Sequence, residues 1–277
     1  MITRAQLIGQ IKQKKSFLCV GLDTDIEKIP EHLRSHPTPV LEFNRHIIDA
    51  TKDICVAYKP NSAFYESRGV PGLQSLIATW KYLPKDCLNI IDAKRGDIGN
   101  TSDKYARAFF DEQASGMSFD AITVSPYMGS DSITPYLKYE GKWVILLALT
   151  SSAGSRDFQY LKTDEGYLYE AVIKKANTWA GADRLMYVVG ATKSNEFTAI
   201  RKYAPDNFLL VPGVGAQGGS LEEVCRYGMT KDCGLLVNAS RSIIYASGGK
   251  DFADAARAET LKMQQMMEVE LEKAGVI

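Results

Sequence analysis

The stretch Leu88-Asn89-Ile90-Ile91-Asp92-Ala93-Lys94-Arg95-Gly96-Asp97-Ile98-Gly99-Asn100-Thr101 turns abruptly from an apolar run into interleaved carboxylates and amines. A short apolar run that ends directly in charge reads as a buried strand whose carboxyl end emerges at a polar rim. Side chains two apart in extended chain share a face, so Asp92 and Lys94 project together, and Asp97 follows from the connecting loop. A lysine held between two carboxylates stays protonated. It then serves as an acid and not as a nucleophile.

Working outward, seven similar runs flank this one, so that eight are found at 17–22, 55–58, 88–91, 121–124, 144–149, 185–189, 208–211 and 235–237. The segments between them carry helical periodicity, with Val40, Phe43, Ile47 and Ile54 forming one stripe and Leu168, Ala171, Val172 and Ala176 another. Near-continuous apolar strands separated by amphipathic helices imply parallel pairing with both faces covered. An open doubly wound sheet would place a G-x-G-x-x-G turn after its first strand, but that strand ends Val20-Gly21-Leu22-Asp23-Thr24-Asp25. The expectation is a (β/α)8 TIM barrel, a fold of about 250 residues, occupying residues 1–277 as one domain. Residues 24–38 and 151–166 read as long loops on the functional rim, and 251–274 as a closing helix.

Composition narrows the function. Thirty-three basic residues balance 33 acidic ones, so no global field points to nucleic acid or an anionic membrane. The longest strictly apolar run, 143–149, is far too short to span a bilayer, and the first fifteen residues lack a signal peptide's apolar block. Five cysteines without C-x-x-C spacing read as reduced, buried thiols of a cytoplasmic protein. Only His32, His36 and His46 are present, all in one early stretch, which removes histidine from most catalytic and metal schemes. No metal site and no pyridoxal, thiamine or flavin motif is recognisable, so neither metal nor cofactor is expected.

In a barrel of this kind the carboxyl ends of the strands line one mouth. Strand one supplies Asp23, strand two Lys59, strand three Asp92 and Lys94, and strand five Thr150-Ser151. Strand seven supplies Pro212-Gly213-Val214-Gly215-Ala216-Gln217, and strand eight Asn238-Ala239-Ser240-Arg241. The glycines of loop seven let a backbone approach an anion, and Arg241 offers a planar fork suited to phosphate oxygens.

Gly21-Leu22-Asp23, Lys59-Pro60-Asn61, the 92–101 motif, Pro212 to Gln217 and Ser240-Arg241, in that order over nearly the whole chain, resemble the orotidine 5'-phosphate decarboxylase family in its longer bacterial form. The resemblance implies cofactor-independent conversion of orotidine 5'-phosphate to uridine 5'-phosphate and CO2, the last step of de novo UMP synthesis. It also implies a cytoplasmic homodimer with shared sites, binding neither nucleic acid nor membrane. By the same resemblance Lys94 protonates C6 of the pyrimidine and Asp92 lies beside the departing carboxylate. Asp97 and Thr101 complete the neighbouring subunit's site, while Lys59 and Asp23 contact the ribose and the charged network. Ser151 reads the pyrimidine edge, and Pro212, Gln217, Ser240 and Arg241 belong to the substrate-binding rim, the last three at its phosphate clamp. Rival readings are a metal-dependent sugar-phosphate decarboxylase or aldolase of the same architecture, a Schiff-base aldolase, and a non-catalytic pyrimidine nucleotide sensor.

Overall fold

Eight parallel strands close on one another in the computed structural model, which describes residues 1–215 and 218–277 and all their side chains but that of Ser194. They are β1 (Leu18–Gly21), β2 (Ala57–Lys59), β3 (Leu88–Arg95), β4 (Ala121–Val124), β5 (Trp143–Leu149), β6 (Leu185–Val189), β7 (Leu209–Pro212) and β8 (Leu235–Ala239). Closure is made by β1, which pairs with β2 through Cys19↔Ala57 and with β8 through Leu18↔Val237. The eight apolar runs are these eight strands. Helices cover their outer face, so both faces are dry, and the side chains of Tyr58, Trp143, Tyr187 and Phe208 are fully buried.

The main boundary difference falls on the deciding stretch. Extended backbone continues past Ile91 to Arg95, and the pairing with β4 shifts register between Ile91 and Arg95. Asp92 and Lys94 therefore sit on the strand itself. Lys94 takes φ 47 within that irregularity, a left-handed conformation rarely adopted by residues other than glycine.

Two helical stripes need correction. Helix Pro39–Thr51 buries Val40, Phe43, Ile47 and Ile48, whereas Ile54 lies past its end in the turn towards β2. Helix Leu168–Ala176 turns Tyr169, Ile173 and Ala176 inward and leaves Leu168, Ala171 and Val172 half-buried on its flank. The aromatic ring of Tyr169 carries more apolar area than the smaller side chains beside it, and it packs against Tyr160 and Tyr167. The loop at 151–166 holds a short helix, Ser155–Phe158, and its far end pairs Lys162–Thr163 with Gly166–Tyr167 as a small hairpin.

The closing helix runs over Phe252–Lys273. All five cysteines are buried with free thiols. Among the described residues no helix is long and apolar enough to cross a membrane.

Candidate active site

At the carboxyl-end mouth, β2 ends in Lys59 and β3 carries Asp92, both more than nine-tenths buried. Their side chains meet at 2.9 Å, Lys59 Nζ donating to Asp92 Oδ2. The other carboxylate oxygen accepts Lys94 Nζ at 2.6 Å. Asp23, two residues past β1, brings Oδ1 to 4.0 Å from Lys59 Nζ. Burial alone would lift the Asp92 carboxyl, but Lys59 and then Lys94 outweigh it and hold the group well below the usual carboxylate range. Burial alone would likewise lower the Lys59 amine, and Asp92 followed by Asp23 raises it instead. The array is thus fully ionised at neutral pH on the Asp92–Lys59 side.

A cavity of about 150 Å³ opens beside it, lined by Asp23, Lys59, Asp92, Pro212, Asn238 and Arg241, with Gly213, Val214 and residues 239, 240 and 242 completing the wall. Two buried acceptors on this wall, Asp23 Oδ1 and Asn238 Oδ1, have no hydrogen-bond partner. Such oxygens are costly unless a donor reaches them. A donor from solvent or from a molecule in the cavity would satisfy them.

The structure distributes the remaining expected residues unevenly. Ser240 lies against β1, its hydroxyl donating to the Gly21 carbonyl at 3.2 Å, and the Arg241 side chain is exposed at the rim. Ser151, just past β5, does not line the cavity but is packed on Gly190: a Cβ there would come within 2.6 Å of the Ser151 nitrogen. Asp97 and Thr101 point elsewhere, Asp97 Oδ1 accepting the Ile98 amide at 2.7 Å and Thr101 sitting half-buried on helix Gly99–Phe110. Within one chain Lys94 therefore meets one carboxylate and not two; among the described residues no ion pair joins it to Asp97. Its side chain is half-exposed, with the amine turned in to Asp92. Gln217 lies outside the described residues.

Loop seven also differs from its expected use. Gly213, Gly215 and Gly218 adopt positive φ, as a glycine-rich turn should. The amides of Gly215, Gly218 and Gly219, however, donate to Gly219, Gly215 and Gly213 carbonyls inside the loop. In this conformation those amides shape the wall and are not free for an anion.

Two contributors escaped the sequence reading. Tyr245 donates its hydroxyl proton to the Asp23 carbonyl at 3.1 Å and accepts the Asp25 amide at 2.7 Å, so it pins the turn that carries Asp23. Thr123 of β4 donates to Asp92 Oδ1 at 2.8 Å. Neither ends an apolar run, so hydropathy along the chain marks neither. Among the described residues no group of three or more His, Cys, Asp or Glu side chains is placed to hold a metal ion.

A closed parallel barrel whose mouth gathers a buried lysine–aspartate pair, a half-exposed second lysine and an arginine has the form of a (β/α)8-barrel enzyme. The array alone does not assign it to a family. Comparison does: the chain belongs to the orotidine 5'-phosphate decarboxylase / HUMPS family, whose signature matches residues 16–257. It is 56% identical over 274 residues to an orotidine 5'-phosphate decarboxylase of Bacteroides fragilis, covering 98% of each chain. It is 57% identical over 275 residues to that of Christiangramia forsetii, covering 98% of this chain and 100% of the relative. Among solved structures, the Leishmania donovani OMP decarboxylase superposes with a TM-score of 0.78 at 34% identity, over 95% of this chain and 99% of that one.

Proposed function

We propose that this protein decarboxylates orotidine 5'-phosphate to uridine 5'-phosphate and CO2 without a cofactor, at the last step of UMP synthesis. The observation that carries the reading is Asp92 shared between two amines, Lys59 at 2.9 Å and Lys94 at 2.6 Å, beside a cavity that ends in Arg241.

The chemistry needs such an array. The bond from C6 to the carboxylate breaks with both electrons left on C6, CO2 departs, and one proton moves from Lys94 Nζ to C6. Water then returns a proton to the neutral amine. An ammonium fixed where that charge develops stabilises the transition state more than the ground state, which raises the rate. Asp92 holds the Lys94 amine in place, while Lys59 keeps Asp92 ionised as Lys94 gives up its proton. Asp23 and Lys59 take the ribose, Ser151 the pyrimidine edge, and Ser240, Arg241, Gln217 and the Pro212 wall the phosphate end. Enzymes lower barriers by roughly 8 to 23 kcal/mol, more than one ion pair supplies, so remote phosphate binding also drives exclusion of water.

A metal-dependent reading has no comparable support, because the carboxylate a divalent ion would want is already neutralised by two amines. The working form is a cytoplasmic homodimer. Asp97, turned away from its own Lys94, and Thr101 supply the second carboxylate and a hydroxyl to the partner's site. Turnover of orotidine 5'-phosphate, followed by loss of absorbance, tests the whole reading. A purified protein that binds the nucleotide without consuming it would sink the enzyme in favour of a sensor.

A further inference from the structure

One neutral side chain touches both members of the reacting pair. Thr123 is 1% exposed, and its Oγ1 donates to Asp92 Oδ1 at 2.8 Å while accepting the backbone N–H of Lys94 at 3.0 Å. A hydroxyl has one proton to give, so these two contacts fix its rotor and its polarity together. The second contact has a particular task. Lys94 is left-handed at φ 47, and the β3–β4 ladder is interrupted between Ile91 and Arg95, so the sheet does not hold that residue. A backbone in this region persists only where its surroundings over-determine it. The Thr123 hydroxyl supplies that constraint from the neighbouring strand.

We propose that Thr123 is a positioning residue for the decarboxylation, aligning the Lys94 amine by holding its backbone and the carboxylate oxygen it points at. The inference rests on the assignment of Lys94 as the proton donor. Thr123 acts only through Asp92 and Lys94: it does not line the cavity beside the array. Asp92 Oδ1 accepts from Thr123 and Lys94 at once, and Oδ2 from Lys59. When Lys94 surrenders its proton, the threonine and Lys59 remain to stabilise the carboxylate, so the array does not rearrange during turnover.

The test compares Thr123→Val, which keeps the volume and deletes the hydroxyl, with Thr123→Ser, which keeps the hydroxyl. Misplacement of a reacting group by about 1 Å costs on the order of 100-fold. The valine variant is therefore expected to lose roughly 30- to 300-fold in kcat with KM within about threefold. The serine variant should retain most of the activity, and uridine 5'-phosphate should bind all three proteins alike by calorimetry. Thr123→Ala, which leaves space for water, is expected to fall with valine. The proposal is overturned if valine keeps kcat within about threefold, if serine is as impaired as valine, or if KM and thermal stability fall in step with kcat. Failure of both the valine and alanine variants to fold would assign the hydroxyl to stability and overturn it equally. Lys94→Ala run in parallel separates the two claims: an active alanine variant removes the proton donor itself, whereas an inactive one beside a fully active valine variant removes only Thr123.

Discussion

Replacing Lys59 by Met should expose how finely the buried array is balanced. The amine lies 2.9 Å from Asp92 Oδ2, and both side chains are over nine-tenths buried. At an effective dielectric near 20 a 4 Å ion pair is worth about 4 kcal/mol, so at 2.9 Å the gross attraction is about 6 kcal/mol. Part of that only offsets desolvation, and removal of one partner from a buried pair typically costs about 3 to 5 kcal/mol. With a midpoint shift of roughly 2 to 4 °C per kcal/mol for a domain near this size, the variant should melt on the order of 10 °C lower at pH 7. The pH dependence gives a second check. In the wild type the Asp92 carboxyl is held below its unfolded value, so its contribution is complete above about pH 4 and is lost as pH falls. Without Lys59, burial is opposed only by the half-exposed Lys94 and the Thr123 hydroxyl, and the carboxyl is expected to rise above its unfolded value. Its penalty then grows as pH rises and disappears below about pH 4. Urea unfolding of both proteins at fixed concentration, from pH 7 to 4, should show a stability gap that narrows on acidification. A variant as stable as the wild type at pH 7, or a gap that widens towards pH 4, would refute the reasoning.

Other substitutions address single links. Lys94→Ala should abolish measurable turnover while uridine 5'-phosphate binding by calorimetry survives; residual activity near wild type would remove the proton-donor role. Arg241→Ala should lower kcat/KM by several orders of magnitude although it never touches the ring, and a loss under about tenfold, or roughly 1.4 kcal/mol, would argue against a phosphate contact. Gly190→Ala would drive a Cβ to within 2.6 Å of the Ser151 nitrogen. It should cost at least about tenfold in kcat/KM with only a few degrees of melting temperature, and unchanged kinetics would detach Ser151 from the pyrimidine.

The barrel was legible because parallel strands covered on both faces are apolar throughout, and such runs stand out from amphipathic helices. All eight are where hydropathy puts them, seven within two residues at either end and β3 running four residues further, to Arg95. The charged rim was legible for the same reason: Asp23, Lys59, Asp92 and Arg241 follow apolar runs and line one cavity. What escaped depends on contacts between strands distant in sequence. Thr123 sits inside an apolar run and reads as one more β-former, and its hydroxyl acquires meaning only when β3 lies alongside. Tyr245 looks like an ordinary aromatic until the chain returns to strand one, 222 residues away. The partial failure on helix Leu168–Ala176 is different in kind. Leucine and alanine stand above tyrosine in hydropathy, yet Tyr169 buries the larger ring.

The inaccessibility of every native thiol has a practical corollary for watching this enzyme at work. Cys19, Cys55, Cys87, Cys225 and Cys233 present almost no surface to reagents. A single cysteine placed on the open stretch near Phe158, which is 60% exposed, would then be the preferred target of a maleimide dye without first stripping the wild-type sequence of sulfur. Fluorescence from that one label would report whether the surroundings of the hairpin-bearing segment change when uridine 5'-phosphate is added.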